Sequence, residues 1–111
     1  APMLRRLRIA ACLVPESLER SGELAGNLQA ALRTYFDPAG GWAIGATPAE
    51  DDVTLALLDQ PGLLRIEDMR FGEIGDDGLA RPWGAAVQED ELVVLDKDGV
   101  RIAFLQPEEM P

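Results

Sequence analysis

The chain has 111 residues, 20 of them acidic and 10 basic, which leaves a net charge of −10 at pH 7; it contains no histidine and one cysteine. A Ser-His-Asp triad, a Cys-His pair, a His-ligated zinc or haem site and an internal disulfide are therefore excluded, and the acid surplus opposes binding to a phosphate backbone or an anionic membrane, whose partners carry a net-positive footprint. With 47% apolar and 27% charged residues the composition is that of a folded globular chain, and the length suits a single domain, expected over residues 1–106 with an acidic tail at 107–111.

Arg5, Arg6 and Arg8 precede an apolar run from Ile9 to Val14. The run ends at Pro15, short of the ~7–15 residues of a signal-peptide core and far short of the ~20 of a membrane span. Ile9-Ala10-Ala11-Cys12 has the form of a lipoprotein cleavage box, but arginines abut it where a hydrophobic segment would have to lie. The default compartment is accordingly intracellular. The alternation Leu7, Ile9, Ala11, Leu13 instead predicts a half-buried strand ending at Pro15.

From Leu24 the period changes. Leu24, Leu28, Ala31, Leu32 and Tyr35 recur at spacings of three and four and predict a helix, with Glu23, Ala30, Arg33 and Thr34 turned away from its apolar stripe. Ser17 or Ser21 is the expected cap, and Pro38 ends the helix by Asp37. Thr47-Pro48, with Glu50 following, reads as a capping box that opens a second helix, in which Asp51 and Asp52 suit the positive end. Val53, Leu57 and Leu58 supply its buried side and Gln60-Pro61-Gly62 stops it. Leu64, Ile66, Met69 and Phe71 then predict a strand that changes face near Asp68.

Residues 72–84, rich in glycine and carrying Asp76-Asp77, read as a surface loop anchored by Trp83. Leu92 to Leu95 and Val100 to Leu105 flank Asp96-Lys-Asp-Gly99 and predict a hairpin whose turn places Gly99 at positive φ. The order strand, helix, helix, strand, strand, strand implies an α+β fold: two helices packed on one face of a small, largely antiparallel four-stranded sheet.

No group of residues marks a catalytic, cofactor or metal site. Asp76-Asp77 and Glu89-Asp90-Glu91 fall in expected loops, where a charge run is a solvated surface. Asp96-Lys-Asp-Gly99 has the opening of a calcium loop without its later ligands. Cys12 has no histidine to activate it and reads as a small buried residue, while Gly40-Gly41-Trp42-Ala43-Ile44-Gly45 lacks the lysine and hydroxyl of a phosphate loop. Arg65 and Arg70 are expected to pair with acids or with a partner surface.

One resemblance runs through much of the chain. A strand ending in Leu13-Val14-Pro15 leads to a helix, Leu28-Gln-Ala-Ala-Leu-Arg-Thr-Tyr-Phe-Asp-Pro38, and then to Gly40-Gly41-Trp42-Ala43-Ile44-Gly45. A second helix ending in Leu57-Leu-Asp-Gln-Pro-Gly62 and a strand from Leu64 to Phe71 follow. This succession resembles the C-terminal region of baseplate J-like proteins, the wedge subunits of contractile phage tails and related injection systems. Members of that family commonly carry an aromatic residue where this chain has Ala43-Ile44, and they are larger, so the chain would be a reduced version or one domain of a longer protein. The resemblance implies a structural part in a virion or injection particle, with other baseplate or tail subunits as partners and no chemistry of its own.

A contact surface would draw on Trp42, Ile44 and Trp83, since exposed aromatics serve as interface anchors; alternatively both tryptophans are ordinary core or loop-anchoring residues. A rival reading is a small acidic inhibitor or immunity-type protein that fills the basic site of a target. It requires acids gathered on one face, whereas here they spread over helix starts, turns and the tail.

Overall fold

The computed structural model describes residues 2–84 and 86–106, so the expected acidic tail at 107–111 lies outside the described residues. The elements are strand β1 (Met3–Pro15), helix α1 (Ser21–Tyr35), helix α2 (Glu50–Leu58), and strands β2 (Leu63–Ile74), β3 (Ala80–Pro82) and β4 (Glu91–Phe104). They form an α+β fold with one four-stranded sheet in the order β3-β2-β1-β4. The β1–β2 and β2–β3 pairs are antiparallel, and β1–β4 is parallel.

Alternation along β1 decides which face is covered. Leu7, Ile9 and Leu13 are fully buried and Ala11 nearly so. On the same face their partners are Phe71, Met69 and Ile66 of β2 and Leu95, Val100, Ile102 and Phe104 of β4. The stripe Leu24, Leu28, Leu32 of α1, with Phe36 beyond its end and Val53 and Leu57 of α2, closes this core. α1 lies toward β4 and α2 toward β2. Leu58 is turned out instead, 43% exposed, because it lies about 100° around the helix from Leu57, which shares the buried stripe with Val53.

The helix starts differ from the sequence pattern. Ser21 is the first residue of α1, and its hydroxyl donates to the Leu18 carbonyl (2.8 Å) rather than capping the helix. Ala49 precedes α2 with no side-chain cap, so the Thr47 capping box does not form. Pro48 is buried and Thr47 exposed, which leaves Glu50, Asp51 and Asp52 as the first turn.

The second half of the sheet carries the larger corrections. β2 continues to Ile74 and turns through Gly75 to Leu79 into β3, so part of the expected 72–84 loop is a hairpin. Asp77 accepts the Leu79 amide (3.0 Å) inside that turn, and Gly78 sits at φ 80°. The change of face in β2 is a bulge: Cys12 faces Asp68 and Leu13 faces Ile66, leaving Glu67 as the extra residue.

The expected 92–105 hairpin does not exist; β4 is one strand of 14 residues. Leu95 pairs with Leu7 and Val100 with Ile9, so Asp96 to Gly99 bulge out opposite Arg8. Asp96 accepts the Asp98 amide (3.2 Å) and Arg33 of α1 donates to the Lys97 carbonyl (2.6 Å), which hold the bulge. Gly99 is needed here for close approach and not for a positive φ: a Cβ would lie 2.9 Å from the Leu7 carbonyl oxygen.

Two glycine substitutions separate these effects. Gly99→Ala should destabilise by about 1–3 kcal/mol through backbone overlap. Gly26→Ala, on an open face of α1 with nothing within 4 Å, should stabilise by about 0.5–1 kcal/mol. Urea unfolding of both variants checks the pair.

Candidate interaction surface

At ~3.3 Å per residue the 13 residues of β1 extend about 43 Å, whereas the 15 of α1 rise only about 22 Å. The helices therefore leave one end of the core face to be closed by other means, and that end carries Arg5. Arg5 is 8% exposed. Its Nε and Nη2 donate to the two carboxylate oxygens of Glu73 (3.0 and 2.6 Å), and Nη1 donates to the Ala86 carbonyl (3.2 Å) and lies 3.5 Å from Glu91. The guanidinium carbon stands 4.3 Å above the centre of the Trp83 ring.

The segment linking β3 to β4 thus crosses this end of the sheet on the side of Arg5, with Trp83 and Val87 packed against the core. Hydrogen bonding to Arg5 holds the Glu73 carboxyl below its usual range against the opposing effect of burial, and the same bonds raise Arg5. Such fork-to-fork pairing is among the stronger hydrogen-bond geometries available to side chains.

The three residues singled out as interface candidates fall in different settings. Trp83 is half-buried beneath Arg5, and its amide donates to the Phe71 carbonyl (3.3 Å). Trp42 is half-buried in an aromatic group, 5.7 Å from Tyr35 and 4.8 Å from Phe36 between ring centres. Its Nε1 is buried without a hydrogen-bond partner among the described residues. Burial, with the negative charge of Asp52 nearby, pushes the Tyr35 hydroxyl up. Ile44 is 54% exposed. The Ala43–Ala46 turn that carries it is tied to the Arg5 end of the sheet, because the Gly45 amide donates to the Glu91 carbonyl (2.8 Å). Ile44 and Trp83 are thereby linked through Glu91 and Arg5, while Trp42 belongs to the end of α1.

The other charged candidates have local duties. Asp77 pairs with Arg81 (3.2 Å), Glu91 accepts the Gln88 amide (2.8 Å), Arg65 pairs with Glu67, and Arg70 with Asp68 (2.9 Å). Among the described residues no group of three or more His, Cys, Asp or Glu could hold a metal ion. Cys12 is not in the core; it is half-exposed on the sheet face away from the helices, because the bulk of β1 burial falls on odd-numbered positions. No helix is long and apolar enough to cross a membrane among the described residues.

That second face is the feature that sequence reading missed. Direct pairing places Ala10 beside Arg70 and Arg101, Cys12 beside Asp68 and Ala103, Arg8 beside Gly72, and Arg6 beside Ile74 and Val94. Residues paired this way share a face. Ala10 and Ala103 are exposed and Leu4 is 62% exposed, so the face is open. Its only signal in the sequence was the polar half of the β1 alternation.

Replacing Arg5 by Met should cost about 3 kcal/mol, since Glu73 and Glu91 would be left without their cation, and the double variant R5M/E73M should recover part of that loss. Glu73 is lowered in the native state, so its contribution is complete above the ordinary glutamate range and declines as pH falls through its lowered pKa. Denaturant midpoints measured between about pH 7 and pH 3 should accordingly fall more steeply for the wild-type chain than for R5M/E73M.

Compared with known proteins, the sequence matches no family profile and no curated protein.

Proposed function

We propose that this chain is a structural assembly module that works through protein–protein contacts, in the manner of a wedge-subunit domain in the baseplate of a contractile phage tail or related injection system. The observation that carries the reading is the lopsided sandwich: the helices, with Trp83 and Val87, cover one face of the sheet, while the other stays open along the centre of β1. On an acidic chain, an open sheet face that carries Arg6, Arg8, Arg70 and Arg101 offers a charged contact surface. Support from the sequence comes from the succession of motifs between Leu13 and Phe71, which the fold uses as a continuous unit of β1, α1, α2 and β2.

The acids are dispersed over separate tasks, on Arg5, in the 75–79 turn, at the start of α2 and in the β4 bulge. That distribution favours assembly over inhibition of a basic target.

The test is capture of partners by the tagged chain from a lysate of its source cells, with retained proteins identified by mass spectrometry and the bait alone sized by light scattering. Tail, sheath or baseplate subunits should be recovered, and Ala103→Glu, at an exposed position on the bare face, should reduce their recovery by about tenfold without shifting the unfolding midpoint. Stoichiometric recovery of one basic enzyme or toxin would overturn the reading.

A further inference from the structure

We propose that the open sheet face is a docking surface for an acidic segment of a partner protein, held by Arg70 and Arg101 on either side of a trough floored by Ala10 and Cys12. This rests on the assembly reading above and gives the partner a chemistry.

The register builds the trough. Ala10 on the central strand has Arg70 on one side and Arg101 on the other. Neighbouring strands lie about 4.8 Å apart, so the two arginine stems are rooted roughly 10 Å from one another with only a methyl group between them. The next row is Asp68, Cys12, Ala103, and the hollow so formed has a volume of about 290 Å³. In the row before it Arg8 stands beside Gly72, which has no side chain to fill the space. Small residues thus keep the floor low while guanidinium groups rise at its sides, a geometry in which a carboxylate over Ala10 is reached from two directions. Leu4, Ile74 and Val94 add apolar surface at one end of the same face.

Charge identifies the occupant. In a chain of net charge −10, this face carries Arg6, Arg8, Arg70 and Arg101 against Asp68 and, at the bulge, Asp96, with the Arg65–Glu67 pair beside Val14 adding no net charge. Among the described residues Arg8 and Arg101 form no ion pair. Arg70 pairs with Asp68, but the two side chains are 80% and 52% exposed, so the pair is weak and exchangeable. A cationic face on an acidic molecule selects an acidic complement. Nucleic acid fits less well, because the nearby rings of Phe71 and Phe104 are on the core face with Ile9 and Leu13, which leaves no stacking platform.

The probe is a short peptide of alternating glutamate and valine, titrated into the isotopically labelled chain and followed by amide chemical shifts. Shifts should centre on Arg8, Ala10, Cys12, Arg70 and Arg101. The exposed double variant R70E/R101E should keep the remaining spectrum and weaken binding by about tenfold or more, as should salt near ~0.5 M, whereas R70K/R101K should retain part of the affinity. Absence of shifts on this face, equal binding by the glutamine counterpart, tighter binding of a poly-thymidine oligonucleotide, or self-association through this face would each overturn the proposal. If tail subunits are still captured while the peptide fails, the docking face falls and the assembly reading stands; loss of both removes both.

Discussion

A single buried cation organises the end of the sheet that the helices cannot reach. β1 is about twice as long as α1, so a core stripe continued to its N-terminal end would have no helix above it. Arg5 occupies that position. Its two-point bond to Glu73 fastens β2, its proximity to Glu91 fastens the start of β4, and its stacking on Trp83 and bond to the Ala86 carbonyl draw the connecting segment across. Four parts of the chain meet at one guanidinium, and the crossing from β3 to the far side of β1 is pinned there. The Ala43–Ala46 turn is attached at the same point through Glu91, so the order of the α1–α2 connection also depends on it.

The elements readable from the sequence were those whose signal is local. The α1 stripe and the β1 alternation each repeat several times within one element, and the structure keeps both. The signals that misled were competing short-range ones. Asp96-Lys-Asp-Gly99 has turn chemistry, but the residues on either side both find pairing partners on β1, so the turn is extruded as a bulge and the strand resumes in the same direction. Thr47-Pro48 has the letters of a capping box, yet burial of Pro48 moves the start of α2 beyond it. β3 is three residues long and contains a proline, too little to stand out from its loop without β2 beside it.

The surface was less legible than the fold for a related reason. Whether an arginine on a strand stands alone or faces another depends on cross-strand register, which no single segment encodes. Arg70 and Arg101 are far apart in the sequence and meet only because each pairs with Ala10. Arg5, Arg6 and Arg8 formed one cluster on paper; pleating divides them, sending Arg5 into the interior and Arg6 and Arg8 outward. The tryptophans illustrate the converse, since their size marks them as anchors while each is engaged within the chain, Trp83 under Arg5, Trp42 against Tyr35 and Phe36, and both against the core.

The parallel pairing of β1 with β4 has a kinetic meaning. Met3 meets Glu91 and Leu13 meets Phe104, so roughly ninety residues must be looped out before the central strand acquires its second neighbour. During synthesis β1 emerges before β2 and can gain it once both helices have been made, yet its other edge stays unsatisfied until β4 has followed. Contact order of this kind slows folding and makes closure of the β1–β4 ladder a late event. A nascent chain would spend that interval with the apolar edge of Leu7, Ile9 and Leu13 incompletely covered, the period in which intermolecular strand pairing competes with its own completion.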